Sequence, residues 1–191
     1  MRIVPTLLAV ALCAASVGAA SGQRAVAPVS GKAINGIGLA FDAPRGQFTA
    51  SGIQLKPSVK SNAASATTGT VDVTINIKLV SKFSRDNTFP CSVIVIGGII
   101  DTDNGTVDGG IETVNGEARV TGAGAATCTV SIPYSWDLAS DSAAQSGLIL
   151  AYAVASVDHR GIARRTTLQL SGIENLPANG ATSTFTFDAA L

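Results

Sequence analysis

The sequence predicts an all-β domain, most simply a single antiparallel β-sandwich of about nine strands held by one disulfide. Three observations carry this reading. The stretch "TCTVSIPYSW", residues 127–136, alternates without a fault: Cys128, Val130, Ile132, Tyr134 and Trp136 share one parity, and Thr127, Thr129, Ser131, Pro133 and Ser135 the other. The segment "VDVTINIKL" repeats the pattern, with Val71, Val73, Ile75, Ile77 and Leu79 facing one way and Asp72, Thr74, Asn76 and Lys78 the other, as a strand with one wet face must. Finally, no stretch after the first twenty residues shows apolar residues at the helical period for more than one or two turns.

Composition agrees. The 191-residue chain is 46% hydrophobic but only 5% aromatic, so its core must be built from Val, Ile, Leu and Ala. Frequent Gly, Thr and Ser suit strands and turns better than helices.

The opening "MRIVPTLLAVALCAASVGAASGQ" has one early charge, Arg2, then an apolar run and small residues at Val17, Ala19 and Ala20. This is the pattern of a secretory signal peptide over residues 1–20, too short in its apolar run to span a bilayer, which takes about 20 residues. The expectation is therefore a secreted protein, extracellular or periplasmic, with no transmembrane segment after cleavage, and Cys13 leaves with the peptide. Residues 21–33 mix Gly, Pro and Ser without a period and read as a flexible leader. The domain proper is expected over residues 34–191, the size of one ordinary domain.

Taken in order, weaker strand-like runs stand at "IGLAF" and "QFTASGIQL", ahead of the alternating 71–79 segment. Next comes "CSVIVIGGII", residues 91–100, apolar on both parities; its β-branched residues and the Gly97-Gly98 pair favour a strand covered on both faces. Asn115-Gly116 in "ETVNGEARV" is a strong hairpin signal, since both residues tolerate positive φ. Further on, "DHRG", 158–161, has Asp first and Gly fourth, as a type I turn prefers, between "GLILAYAVASV" and "IARRTTLQLSG". The last strand, "TSTFTFDA", follows the turn-rich "LPANG".

Two cysteines survive cleavage, Cys91 and Cys128, on a route to an oxidising compartment, so they are expected to pair. Cys128 shares its parity with the two aromatics, which places the bond in the core and Tyr134 and Trp136 over one end of that core. Closing so long a loop stabilises by roughly 3 to 4 kcal/mol on loop-entropy grounds. The architecture is immunoglobulin-like only in the broad sense, because Trp136 follows both cysteines instead of lying between them.

Chemistry is sparse. Zinc takes three or four His, Cys or carboxylate ligands, and one histidine with an oxidised cysteine pair cannot supply them. His159 falls on a hairpin tip, poorly placed to be a buried and oriented base, and no serine sits in G-x-S-x-G. Neither "SGKA" nor "GAGAAT" completes a phosphate-binding loop. One acidic segment, "DTDNGTVDGGIE", 101–112, partly matches a calcium loop through Asp101, Asp103, Asp108 and Glu112, but its glycine, Gly105, falls at position five instead of six and replaces a ligand. No cofactor is expected.

The mature charge, 12 basic against 13 acidic residues, gives no basic surface for phosphate backbones, so nucleic acid is not an expected partner. What remains is a non-enzymatic module with a structural, adhesive or interaction role toward an unknown protein or cell-surface partner. The competing reading is a ligand-binding module for carbohydrate or calcium.

Overall fold

The computed structural model describes residues 29–30, 38–43, 45–51, 54–55, 65–80, 82–101, 106–138 and 146–191. The signal-peptide segment lies outside them. Within the leader, Val29 and Ser30 are described: they pair with Phe41 and Ala40.

The described chain is all β. Its strands are β1 (Val29–Ser30), β2 (Gly38–Asp42), β3 (Gln47–Ser51), β4 (Gln54–Leu55), β5 (Ser65–Lys78), β6 (Pro90–Asp101), β7 (Thr106–Glu117), β8 (Arg119–Gly122), β9 (Ala125–Leu138), β10 (Ser146–Val157), β11 (Ala163–Asn175) and β12 (Ala181–Ala190). Two major sheets hold most of them, a five-stranded sheet in the order β11-β10-β6-β7-β4 and a four-stranded one in the order β12-β5-β9-β8, with β1-β2-β3 forming a small third sheet. Among the described residues no helix is long and apolar enough to cross a membrane.

The alternating segments form the four-stranded sheet. Strands β5 and β9 pair antiparallel along their whole length, from Ser65 opposite Leu138 to Lys78 opposite Ala125. Their apolar parity, Val71 to Ile77 and Cys128 to Trp136, is buried against the inner face of the five-stranded sheet, which supplies Cys91, Val93, Val95, Leu148, Leu150, Tyr152 and Val154 to the same core. The segment with apolar residues on both parities is the middle strand of five, as expected of a strand covered twice. On its far face Ile94 and Ile96 meet Ile149, Ala151 and Phe48, while Phe41 and Ala43 lie against Ala153, Ala155 and Val157. The small alanines of β10 make the shallow bed into which the N-terminal sheet lowers its two phenylalanines, whose rings stand 5.4 Å apart. That cover is the small third sheet.

Three sequence expectations are corrected. The sheets are not purely antiparallel, because β12 runs parallel to β5 and β4 parallel to β7. The described strands also exceed the expected nine, the difference coming chiefly from the short segments β1, β4 and β8. Finally, Asn115-Gly116 is not a turn: β7 passes straight through it, with Asn115 opposite Ser92 and Gly116 opposite Cys91. Packing overrides the local turn preference there. A Cβ at Gly116 would lie 3.2 Å from Val130 Cγ1 and 3.4 Å from Cys91 Sγ, so the glycine leaves room for the disulfide, and the Ser92 hydroxyl donates to Asn115 Oδ1. The hairpin that the sequence places here comes later, where β8 turns into β9 through Ala123-Gly124 with Gly122 opposite Ala125.

The expected turn at residues 158–161 is present. The Gly161 N–H donates to the Asp158 carbonyl at 2.9 Å, and Gly161 takes the positive φ of 73° that closes the turn.

Candidate functional site

The disulfide joins Cys91 of β6 to Cys128 of β9, with Cα atoms 6.5 Å apart, and so ties the two major sheets together. Both cysteines are fully buried. They are a staple, out of reach of solvent.

Tyr134 and Trp136 close the other end of the core, stacked at 4.3 Å and 3–4% exposed. The indole lies flat on a window in the five-stranded sheet made by Gly97 and Gly110, which are direct cross-strand partners. A Cβ at either position would overlap the ring. Tyr134 sits opposite Gly69 in the same way, on the four-stranded sheet. The Tyr134 hydroxyl and Trp136 Nε1 are buried with no hydrogen-bond partner among the described residues. Burial pushes the Tyr134 phenol above its ordinary pKa, so the hydroxyl stays neutral.

The acidic segment straddles the hairpin between β6 and β7. Asp103 lies outside the described residues. Asp101 stands opposite Thr106, Asp108 opposite Ile99, and Glu112 opposite Val95. The six steps of strand from Thr106 to Glu112 span about 20 Å, too far for Asp101 and Glu112 to reach one ion. Among the described residues no group of three or more His, Cys, Asp or Glu is placed to hold a metal ion.

His159 is exposed on the β10–β11 turn. Its neighbour Asp158 organises that turn: Oδ1 accepts from the Arg160 and Ile162 N–H groups at 2.9 Å each, and Oδ2 accepts from Arg164 Nε at 2.8 Å. These contacts, the Ile162 N–H foremost, hold the carboxyl below its ordinary pKa. The carboxylate is committed to holding the loop.

The most extensive polar feature is the outer face of the four-stranded sheet, formed by the residues of opposite parity to the core. The register puts Thr186, Thr74 and Thr129 in one row across β12, β5 and β9, followed by Thr184, Asp72 and Ser131 and then Thr182, Thr70 and Pro133. Neighbours in a row stand about 4.8 Å apart and rows about 6.7 Å apart. The face is mostly hydroxyl, with Asp72 as its central charge. Toward the far end it deepens into an open concavity of about 680 Å³ that includes Asn76, Lys78, Thr127, Gln169 and Asp188. Asn76 Nδ2 lies 3.4 Å from Asp188 Oδ1. The buried Tyr152 hydroxyl donates to the Asp188 carbonyl at 2.9 Å, and both burial and the charge of Asp188 raise its pKa.

Sequence reasoning assigns each strand a wet parity but does not single out this face, because which threonines adjoin is fixed by pairing register and by the parallel placement of β12. The Thr-Phe alternation of "TSTFTF" is the one local signal that could have added β12 to it.

Comparison of the chain with protein-family models, with curated proteins and with solved structures finds no match.

Proposed function

We propose that this chain is a secreted or periplasmic, non-enzymatic module with a structural or adhesive role, presenting the outer face of its four-stranded sheet to a cell-surface or protein partner. The observation that carries the reading is that face: rows of threonine and serine on a stapled, two-sheet core, with few charges to keep a neighbour away. Hydroxyls at regular spacing can donate and accept without the desolvation penalty of ions. The signal-peptide pattern and the disulfide support the oxidising route. A second reading, a ligand-binding module for a polyhydroxylated molecule, is favoured by the concavity and its Asn76, Gln169 and Asp188 amides and carboxylate.

One experiment tests both. Purified mature protein is applied to whole cells of the source, beside a Thr74→Lys/Thr129→Lys variant whose changes are confined to the outer face. Binding by the wild type, lost in the variant, is the expected result. Equal binding by the two removes the face from the account. Competition by free oligosaccharide would move the interaction to the concavity and favour the second reading.

A further inference from the structure

Every open sheet carries edges, and an edge left bare is a template for another strand. The edges of this fold differ sharply in how they are protected. Strand β7 pairs with β4 only at Thr106 and Val107, and beyond that point it carries Glu112 on the parity of Gly110 and Val114, the side that faces the core. An inward carboxylate on an edge strand opposes pairing with a second chain. Beyond its pairing with β8 at Ala125–Thr127, β9 carries Pro133, which has no N–H to offer. The outer strand β11 carries Arg164 and Arg165 near its start and Glu174 near its end, with Gly172 between them, and β8 is short and opens with Arg119.

Among the edges of the two major sheets, strand β12 is the least protected. Among the described residues it pairs only with β5. From Ala181 to Phe187 it reads "ATSTFTF", with no charge, no proline and no glycine. Its threonines are exposed, and Phe185 and Phe187 are only half-buried at the border of the core. The free edge has a definite end: the Tyr152 hydroxyl of β10 donates to the Asp188 carbonyl at 2.9 Å and the Thr167 hydroxyl of β11 donates to the Ala190 carbonyl at 2.6 Å, so side chains of these two strands already occupy the edge from Asp188 onward.

We propose that a second copy of this chain adds its own β12, antiparallel, to this edge, joining the two four-stranded sheets across a twofold axis. With Phe185 facing its counterpart on the axis, Thr184 faces Thr186 and Ser183 faces Phe187; the central pair is aromatic on aromatic, the pairs beside it hydroxyl on hydroxyl, the outermost a small serine against a ring, and no charges oppose one another. Such pairs are favourable across antiparallel strands, and a symmetric contact must be self-complementary in this way. Residues 183–187 of each copy take part, within the stretch that the Tyr152 and Thr167 contacts leave free. So short a contact belongs to the weak, concentration-dependent class of interface. It also doubles the width of the hydroxyl face, so the inference deepens the interaction role proposed above and rests on it.

Sedimentation velocity of the mature protein over a concentration series up to about 1 mM, a range that covers weak complexes, tests the pairing. The wild type is expected to shift from monomer to dimer. Thr184→Lys/Thr186→Lys, which sets lysines opposite lysines across the axis, is expected to stay monomeric, while Thr129→Lys, on the same face but away from the edge, dimerises like the wild type. Unchanged tryptophan emission shows that each variant is folded. A monomer at every concentration, or a dimer that the edge variant retains, overturns the pairing. Cell binding by a protein that stays monomeric would sink this inference and leave the interaction role standing. Dimerisation without cell binding would do the reverse.

Discussion

The two ends of the shared core are closed by different means. At one end a covalent bond joins Cys91 to Cys128, with Gly116 kept small beside it and Asp158 pinning the adjacent turn. At the other, eight residues further along β9, no bond crosses between the sheets; Trp136 lies on Gly97 and Gly110 and stacks on Tyr134. One end constrains the unfolded chain, whereas the other gains by filling space in the folded one. The second arrangement has no covalent fallback, so its stability depends on the fit of one ring.

The strongest way to break the comparison is to remove that ring. Trp136→Ala deletes a side chain that is 3% exposed and leaves a cavity over two glycines that have no side chains to fill it. The expected loss is about 3–5 kcal/mol, read from denaturant titration followed by circular dichroism. A loss below about 1 kcal/mol would mean that the window collapses freely, as cavity costs depend on how far a site relaxes. Because Trp136 is the chain's only tryptophan, its emission in the native protein should be blue-shifted and shielded from acrylamide.

Somewhat smaller is the effect of opening the staple. Cys91→Ala/Cys128→Ala frees a loop with a sequence separation of 37 and is expected to cost roughly 3 to 4 kcal/mol. The two ends are about 26 Å apart along β9, so combining these substitutions with Trp136→Ala should give additive losses within about 0.5 kcal/mol. A clear excess over the sum would show that the ends are coupled through the sheets, and the contrast between them would fall.

What was legible in the sequence follows the same division. Parity alone located β5 and β9, sorted their buried and wet residues, and placed Cys128, Tyr134 and Trp136 inside, since period-2 burial is a local property of a strand; the cysteine pairing came from their even number on an oxidising route. A two-sided apolar run likewise marked β6 as an interior strand. Features that depend on register were hidden. Gly97 and Gly110 become a window only because they fall opposite each other and under Trp136, and nothing in either segment announces that. Asn115-Gly116 misled for the same reason, its turn propensity outweighed by what Gly116 must clear in three dimensions. Strand direction carries no parity signal at all, so the parallel placement of β12, and with it the threonine rows, could not be read beforehand.

The smallest expected effect concerns the hairpin tip beyond the glycine window, and there the expectation is no change. If residues 101–112 bound Ca²⁺, the aromatic end would gain an ionic clamp of its own and the two ends would no longer differ in kind. Calcium takes six to eight oxygens at about 2.3 to 2.6 Å. Here Asp101 and Asp108 sit on opposing arms of the hairpin, two residue pairs apart, and Glu112 lies four residues beyond Asp108, roughly 13 Å up the strand. The misplaced Gly105 removes the sharp turn that a calcium loop needs at its sixth position. A ligand that does not bind the native state cannot stabilise it, so the melting temperature in millimolar Ca²⁺ should equal that in chelator. A reproducible upward shift, abolished by Asp103→Ala, would show that the tip gathers its ligands from a tighter loop than Asp101–Glu112. The aromatic end would then have to be regarded as clamped, and the protein as an adhesive module that depends on calcium.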